Sequence, residues 1–311
     1  MIPKSILLLA FLLQVSTTER CPDEHFRVDA STCHKLLTCE DRPSLDVKHL
    51  LPGGYVKELF LAQWNSAVVI YSTPRHPHTK DDFLHGIRML HGLQGSSYVA
   101  RLVGSCSDPD SPFLVTQFYK HGSVEKLEEL VTALELKPNE ELDLRLNLAE
   151  DYISILEYLH SSPLGVCVMC DSNDLMKTMS QYVITDDLRL ALLDVDALPV
   201  VDHAKNATIK CGSREIYGDF VAPEQLWPYP EKEFVDSLMP GYDEKTDIWK
   251  VPDVLQYLVG GSNAAYRLKL HLFETFRRCK EDDPARRPEA RYIKDVFMRA
   301  VVHERRIKLE L

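Results

Sequence analysis

The spacing of hydrophobic and polar positions separates a strand-rich first part of the chain from a helix-rich remainder. Behind Leu51-Pro-Gly53-Gly54 an alternating run reaches Leu61, Trp64-Asn65-Ser66 reads as a turn, and a second apolar run covers 67–71. Over 80–93, Phe83, Leu84, Ile87, Leu90 and Leu93 recur near the i, i+3, i+4 spacing of a helix. Two more strands are predicted at 98–104 and 113–119. His121-Gly122-Ser123 then opens a charged helix, and 143–160 reads as a longer amphipathic one with Leu144, Leu148, Tyr152, Ile155 and Leu159. This order predicts an α+β, bilobal fold, with a small strand-rich N-lobe over 45–119 and a larger helical C-lobe over 120–305. The boundary near residue 120 reads as a hinge within one unit.

The stretch 166–196 concentrates candidate chemistry. An apolar strand end, 166–169, breaks into a polar loop with Asp171 and Asp174, and two apolar runs, 182–184 and 188–193, flank the turn Thr185-Asp186-Asp187 before Asp194. Two strands joined by a tight turn hold an acid before the first and another after the second on one rim. Phosphoryl transfer needs such a pair, one to accept the proton of the attacking hydroxyl and one to hold a metal on the phosphates.

The chain has 311 residues, 45% hydrophobic and 27% charged, which is ordinary for a globular protein. Its net charge of −11 argues against nonspecific nucleic-acid binding, and no nucleic-acid partner is expected. Residues 1–18, with Lys4 before the apolar run 6–15, read as a targeting segment, shorter than the roughly 20 residues a membrane span needs. A secretory route gives the eight cysteines a disulfide reading. Cys21, Cys33 and Cys39 fall in a cysteine-rich extension over 19–44, read as disulfide-pinned to the main domain. Cys106, Cys167, Cys170, Cys211 and Cys279 are scattered, and spacing does not fix the pairing. Asn206-Ala-Thr208 is a glycosylation sequon.

Three later motifs carry a resemblance. Ala222-Pro223-Glu224, Asp247-Ile-Trp249 and Asp283-Pro-x-x-Arg287-Pro288, in this order, resemble the close of the activation segment, the buried helix start and the late arginine of the protein kinases, over roughly 45–305. The resemblance implies that Glu224 pairs with Arg287 and that Asp247 is buried at the start of its helix. The catalytic half departs from the pattern. Met169-Cys170-Asp171 stands for His-Arg-Asp, Asp194-Val195-Asp196 for Asp-Phe-Gly, and Gln181 falls where the metal-binding Asn is expected. Tyr71 takes the third-strand lysine position, and Gly86 that of its helix glutamate. Lys57, in the glycine-bearing hairpin, is similar to the relocated lysine of the with-no-lysine kinases.

The runs Met169-Cys-Asp-Ser-Asn-Asp-Leu-x-Lys177, Asp194-Val-Asp-Ala-Leu-Pro199 and Gly218-Asp-Phe-Val-Ala-Pro-Glu-Gln-Leu-Trp-Pro228 closely resemble the protein O-mannose kinase family. That resemblance implies ATP-dependent phosphorylation of the 6-hydroxyl of O-linked mannose in a GalNAc–GlcNAc–mannose trisaccharide on α-dystroglycan, in the endoplasmic reticulum lumen. Family members are usually anchored by an N-terminal membrane helix, and a membrane link is expected here only through a native N-terminal anchor. Asp171 is the expected base and Asp194, with Gln181, the expected ligand of Mg2+ or Mn2+. Lys57 is expected on the phosphates under Gly53 and Gly54, and Gln117-Phe118-Tyr119 against adenine. Asn173, Asp174 and Lys177 are candidates for metal or sugar contact or for a structural role, and Asp196 for a ligand or a cap. Tyr71 and Gly86 leave open a catalytically inactive binding module, and the fold alone leaves open a secreted kinase acting on Ser, Thr or Tyr.

Overall fold

The computed structural model describes residues 21–22, 24–27, 32–170 and 172–310, with side chains as far as residue 305. The targeting segment expected over 1–18 lies outside the described residues, as does Asp171.

The extension begins with a short hairpin, β1 (His25–Arg27) and β2 (Cys33–Lys35), closed by the Cys21–Cys33 disulfide. The sheet of the N-lobe follows, built from β3 (Leu45–Leu51), β4 (Lys57–Trp64), β5 (Ala67–Pro74), β6 (Leu102–Cys106) and β7 (Phe113–Gln117). All its pairs are antiparallel, in the order β3-β4-β5-β7-β6. The expected 67–71, 98–104 and 113–119 strands appear with shifted ends. The edge strand β3 lay outside the pattern because only Leu45 among its residues is buried, so an exposed edge shows no alternation.

Alternation along β5 and β7 sorts the two faces of the sheet. Val69, Tyr71, Phe113 and Val115 join Phe26, Leu37 and Leu45 in a cluster that buries the extension on one face. Leu37 pairs with the sheet there, its N–H donating to Val103 O at 2.9 Å and its carbonyl accepting from Ser105 N at 2.9 Å. A Cβ on Gly104 would lie 2.3 Å from Leu37 Cβ, so glycine is required for this close approach. The Cys39–Cys106 disulfide fixes the same contact. The other face is covered by α1 (Lys80–Leu93), through the periodic residues Phe83, Ile87, Leu90 and Leu93.

The C-lobe holds α2 (Leu127–Leu134), α3 (Pro138–Leu159), β8 (Val166–Cys167), α4 (Leu175–Ser180), the hairpin β9 (Tyr182–Ile184) and β10 (Leu190–Leu192), and β11 (Val200–Val201). Helices α5 (Lys245–Val259), α6 (Asn263–Cys279) and α7 (Ala290–Glu310) complete it. Pro138 suits the first turn of α3, and the Glu140 side chain accepts from Lys137 N at 2.9 Å. Leu148, Tyr152 and Ile155 of α3, Val251 and Leu255 of α5 and Phe297 of α7 share one continuous core with Phe83 and Ile87. The lobes are also sewn together by backbone, since Ala100 N donates to Leu192 O at 2.7 Å and Leu192 N to Tyr98 O at 2.9 Å.

Arg287 and Glu224 pair as the motif reading implied, with guanidinium–carboxylate bonds of 2.6 and 2.8 Å and an Arg287 side chain sealed from solvent. Arg287 also donates to Glu281 O at 2.8 Å and to Lys245 O at 3.0 Å. Replacing Glu224 with Ala strands that buried charge, so the unfolding free energy should fall by about 3–5 kcal/mol. A urea titration checks it, and a loss under roughly 1 kcal/mol, the range of exposed pairs, would refute the reading.

Candidate active site

Residues from three separate parts of the chain converge between the lobes. Lys57 is the first residue of β4, directly after the glycine-bearing turn over 52–56. Its ammonium crosses the cleft to Asp194 Oδ1 at 2.7 Å and to Asp196 Oδ2 at 3.3 Å. Asp194 is delivered by the β9–β10 hairpin, in register Tyr182↔Leu192. Buried Asp151 of α3 anchors that hairpin by binding the Arg189 guanidinium and the N–H of Leu190. The backbone carbonyl of Gln181 accepts from Leu193 N at 2.8 Å and from Asp194 N at 3.2 Å, which fixes the start of the Asp194-Val195-Asp196 segment.

Burial alone would pull the Lys57 ammonium down; the charges of Asp194 and Asp196 outweigh it and hold the group above its ordinary value. Burial works the other way on the carboxylates. Lys57 keeps Asp194 below the usual range, with a smaller pull from Lys177. Asp196 is pushed up to about 7, first by burial and then by Asp194 beside it, against the pull of Lys57. One cation therefore holds two acids that would otherwise repel one another.

The lysine-position reading of Tyr71 is corrected. Tyr71 packs against Phe60 and Phe113 on the extension side of the sheet, whereas Leu59 and Ser72, opposite one another, share the parity of Lys57. A one-residue offset turns the side chain to the other face. Gly86 does face the site. A Cβ on it would lie 3.0 Å from Asp196 Cβ and 3.2 Å from Asp196 Cα, so α1 rests directly on this segment. His85 adds a bond to Leu198 O at 3.2 Å. Asp196 thus supplies, from the segment itself, the anion that a glutamate on the helix would otherwise present to the lysine.

The loop on either side of Asp171 is held from several directions. Asp247 of α5 accepts from Met169 N at 3.2 Å and pairs with His160 at 3.2 Å. Ser172 donates to Met169 O at 2.6 Å and accepts from the fully buried Lys250 ammonium at 2.5 Å. Cys170 is bonded to Cys211, tying the loop to the segment that precedes Ala222-Pro223-Glu224. Cys167 and Cys170 therefore do not pair, and Cys167 is a buried free thiol.

The donor set fits a hard divalent cation. Asp194 offers a carboxylate, and the Gln181 amide nitrogen is engaged with Lys177 O at 2.9 Å and Ser180 Oγ at 3.1 Å, so its oxygen is the atom left for a ligand. Asn173 Oδ1 is a buried acceptor with no hydrogen-bond partner among the described residues. Asp174 has a structural role, since its side chain caps α4 by accepting from Lys177 N at 2.8 Å. Gly54 has open space around it, while a Cβ on Gly53 would meet Lys57 O at 2.9 Å. In the connection between lobes, Gln117 N donates to Arg101 O at 3.0 Å, Phe118 is exposed, and the Tyr119 hydroxyl accepts from Arg101 N at 2.9 Å. Asn206 is exposed, at a left-handed turn ten residues after Asp196.

Comparison with curated proteins places this geometry. The chain is 42% identical over 285 residues to protein O-mannose kinase of Homo sapiens, which covers 90% of the chain and 80% of the relative. It is 43% identical to the Xenopus laevis protein O-mannose kinase over 289 residues, 92% and 81% of the two, and 43% identical to that of Gallus gallus. The chain belongs to the protein O-mannose kinase family. No protein-family model matches it.

Sequence reasoning about this protein O-mannose kinase relative missed three supports of the site. Asp196 reads as a ligand or a cap from its sequence, and only the closeness of Gly86 in the fold shows it as the second anion of Lys57. Cys170 stood beside Asp171 with several candidate partners. Lys250 lies three residues after Asp247 and nothing local marked it as buried. Asp196→Asn should weaken one charged hydrogen bond to Lys57, worth about 1.5–3 kcal/mol, and so lower kcat/KM for ATP by roughly tenfold or more. Unchanged kinetics would show that Asp194 alone positions the lysine.

Proposed function

We propose that this protein transfers the γ-phosphoryl group of ATP to the 6-hydroxyl of O-linked mannose in a GalNAc–GlcNAc–mannose trisaccharide on α-dystroglycan. The observation that carries the reading is Lys57, which reaches Asp194 from the strand behind a glycine-bearing turn and so supplies the cation that the third strand lacks. The family relatives are named for a kinase acting on O-mannose.

Lys57 steadies the phosphates from above, and Gly53 and Gly54 let the backbone of the turn approach them. The Gln117-Phe118-Tyr119 stretch receives adenine through its remaining backbone groups. Asp194 and Gln181 would hold Mg2+ or Mn2+, which when bound neutralises charge on the phosphates. Asp171 accepts the proton of the mannose 6-hydroxyl as O6 attacks the γ-phosphorus and the bond to ADP breaks. Hydrogen bonds left unmade by a wrong sugar would supply the selectivity. Three disulfides and the exposed sequon at Asn206 support work in the lumen of the endoplasmic reticulum.

The test incubates the protein with ATP, Mn2+ and the trisaccharide, with bare mannose as control. A phosphate mass shift on the trisaccharide is expected, and Asp171→Ala should abolish it while ATP still binds. Wild-type turnover by Asp171→Ala would remove the base assignment. Binding of ATP with no transfer to any glycan would point to an inactive binding module instead.

A further inference from the structure

Helix α6 buries Ala265, Leu268, Leu272, Thr275 and Cys279, the face turned to the core. Its opposite face should be polar. Instead it carries Tyr266, Leu270 and Phe273, spaced by four and three residues, with exposures of 64%, 58% and 66%. The three side chains form a stripe roughly 10 Å long, and expose on the order of 400 Å2 of mostly apolar surface. That is the size of the largest apolar patch on an ordinary monomer, and such patches are often functional.

Charge selects the partner. Around the stripe α6 carries Arg267, Lys269, Arg277 and Arg278, of which Arg267 pairs with Glu304 and Arg277 with Glu274 and Glu281, while exposed Arg299 of α7 adds a further positive charge. Helices α6 and α7 together carry ten basic residues and four acidic ones, 10 − 4 = +6, in a chain whose net charge is −11. The two helices act as one surface, joined by the Arg267–Glu304 ion pair at 2.8 Å and by the His271 and His303 rings at 4.8 Å, and Arg299 and Val302 of α7 are exposed beside them. Area argues against a second copy, because a stable protein interface needs about 800 Å2 from each partner. A shallow apolar stripe rimmed by Arg and Lys suits the headgroup region of a bilayer, where aromatic and leucine side chains sink roughly 5–10 Å.

We propose that the outer face of α6, with the basic residues of α6 and α7, is a docking surface for a lipid bilayer bearing anionic headgroups. Tyr266, Leu270 and Phe273 enter the interface, and Arg299, exposed beside them, meets the headgroups. None of the residues placed at the active site lies on this face, so binding leaves the cleft open to a glycan. The contact is additional to anything the N-terminal segment does.

The test is co-sedimentation of the full chain with vesicles of phosphatidylcholine alone and of phosphatidylcholine mixed with phosphatidylserine, with light scattering for self-association. Wild-type protein should sediment with the anionic vesicles only, and added salt should release it. The variant Tyr266→Ser, Leu270→Ser, Phe273→Ser should fall to the level seen on neutral vesicles while keeping its thermal midpoint and its transfer to the free trisaccharide. Arg299→Glu should weaken binding without touching the stripe. No binding by the wild type, or equal binding by the triple variant, overturns the proposal. So does self-association in the absence of lipid that the triple variant loses, which would assign the stripe to a second copy.

Discussion

A single ammonium group, that of Lys57, sits between two carboxylates that come from 137 residues further along the chain. Without it, Asp194 and Asp196 would face one another in a largely buried space, and like charges there destabilise the fold that holds them. The rest of the architecture can be read as the means of bringing these groups together. The sheet starts β4 at the mouth of the cleft, Asp151 pins the hairpin that ends near Asp194, and the missing side chain of Gly86 lets α1 lie close enough to fix Asp196.

The contrast between loop and turn is mechanical. Residues 169, 170 and 172 are held by Asp247, by Lys250 through Ser172, and by a covalent bond from Cys170, three anchors from two other regions of the chain. The turn that carries Gly53 and Gly54 is exposed, and its anchors gather at its end, where Val56 O accepts from Arg75 N and Thr79 Oγ1 and the Tyr55 hydroxyl meets His78. A proton acceptor must stand still relative to its substrate, whereas a covering turn must let the nucleotide in and out. On the proposed roles, the two halves of the cleft answer those different demands.

What could be read from the sequence was local. Helix α1 matched its predicted bounds because its apolar residues repeat against a solvated face, and the turn at Thr185-Asp186-Asp187 sits where its residue types place it. The Glu224–Arg287 pair was legible because both partners lie in motifs with fixed spacing. The losses were of other kinds. Strand β3 has almost no buried side chain, Tyr71 was misplaced by a single residue of register, and the partner of Cys170 lies 41 residues away where no spacing rule reaches. The Lys57–Asp196 contact belonged to the same class, since only the three-dimensional closeness of Gly86 explains it.

The free thiol at Cys167 bears on how this chain keeps its covalent bonds. Cys167 and Cys170 lie three residues apart, and only Cys170 is bonded to Cys211. Disulfide exchange runs through the thiolate. Pairing of β8 with β11, Cys167 against Val200, carries Cys167 into the core, where burial raises its thiol above the ordinary value and withholds that thiolate. In the folded chain those two short strands therefore keep Cys167 away from exchange with the Cys170–Cys211 bond beside it.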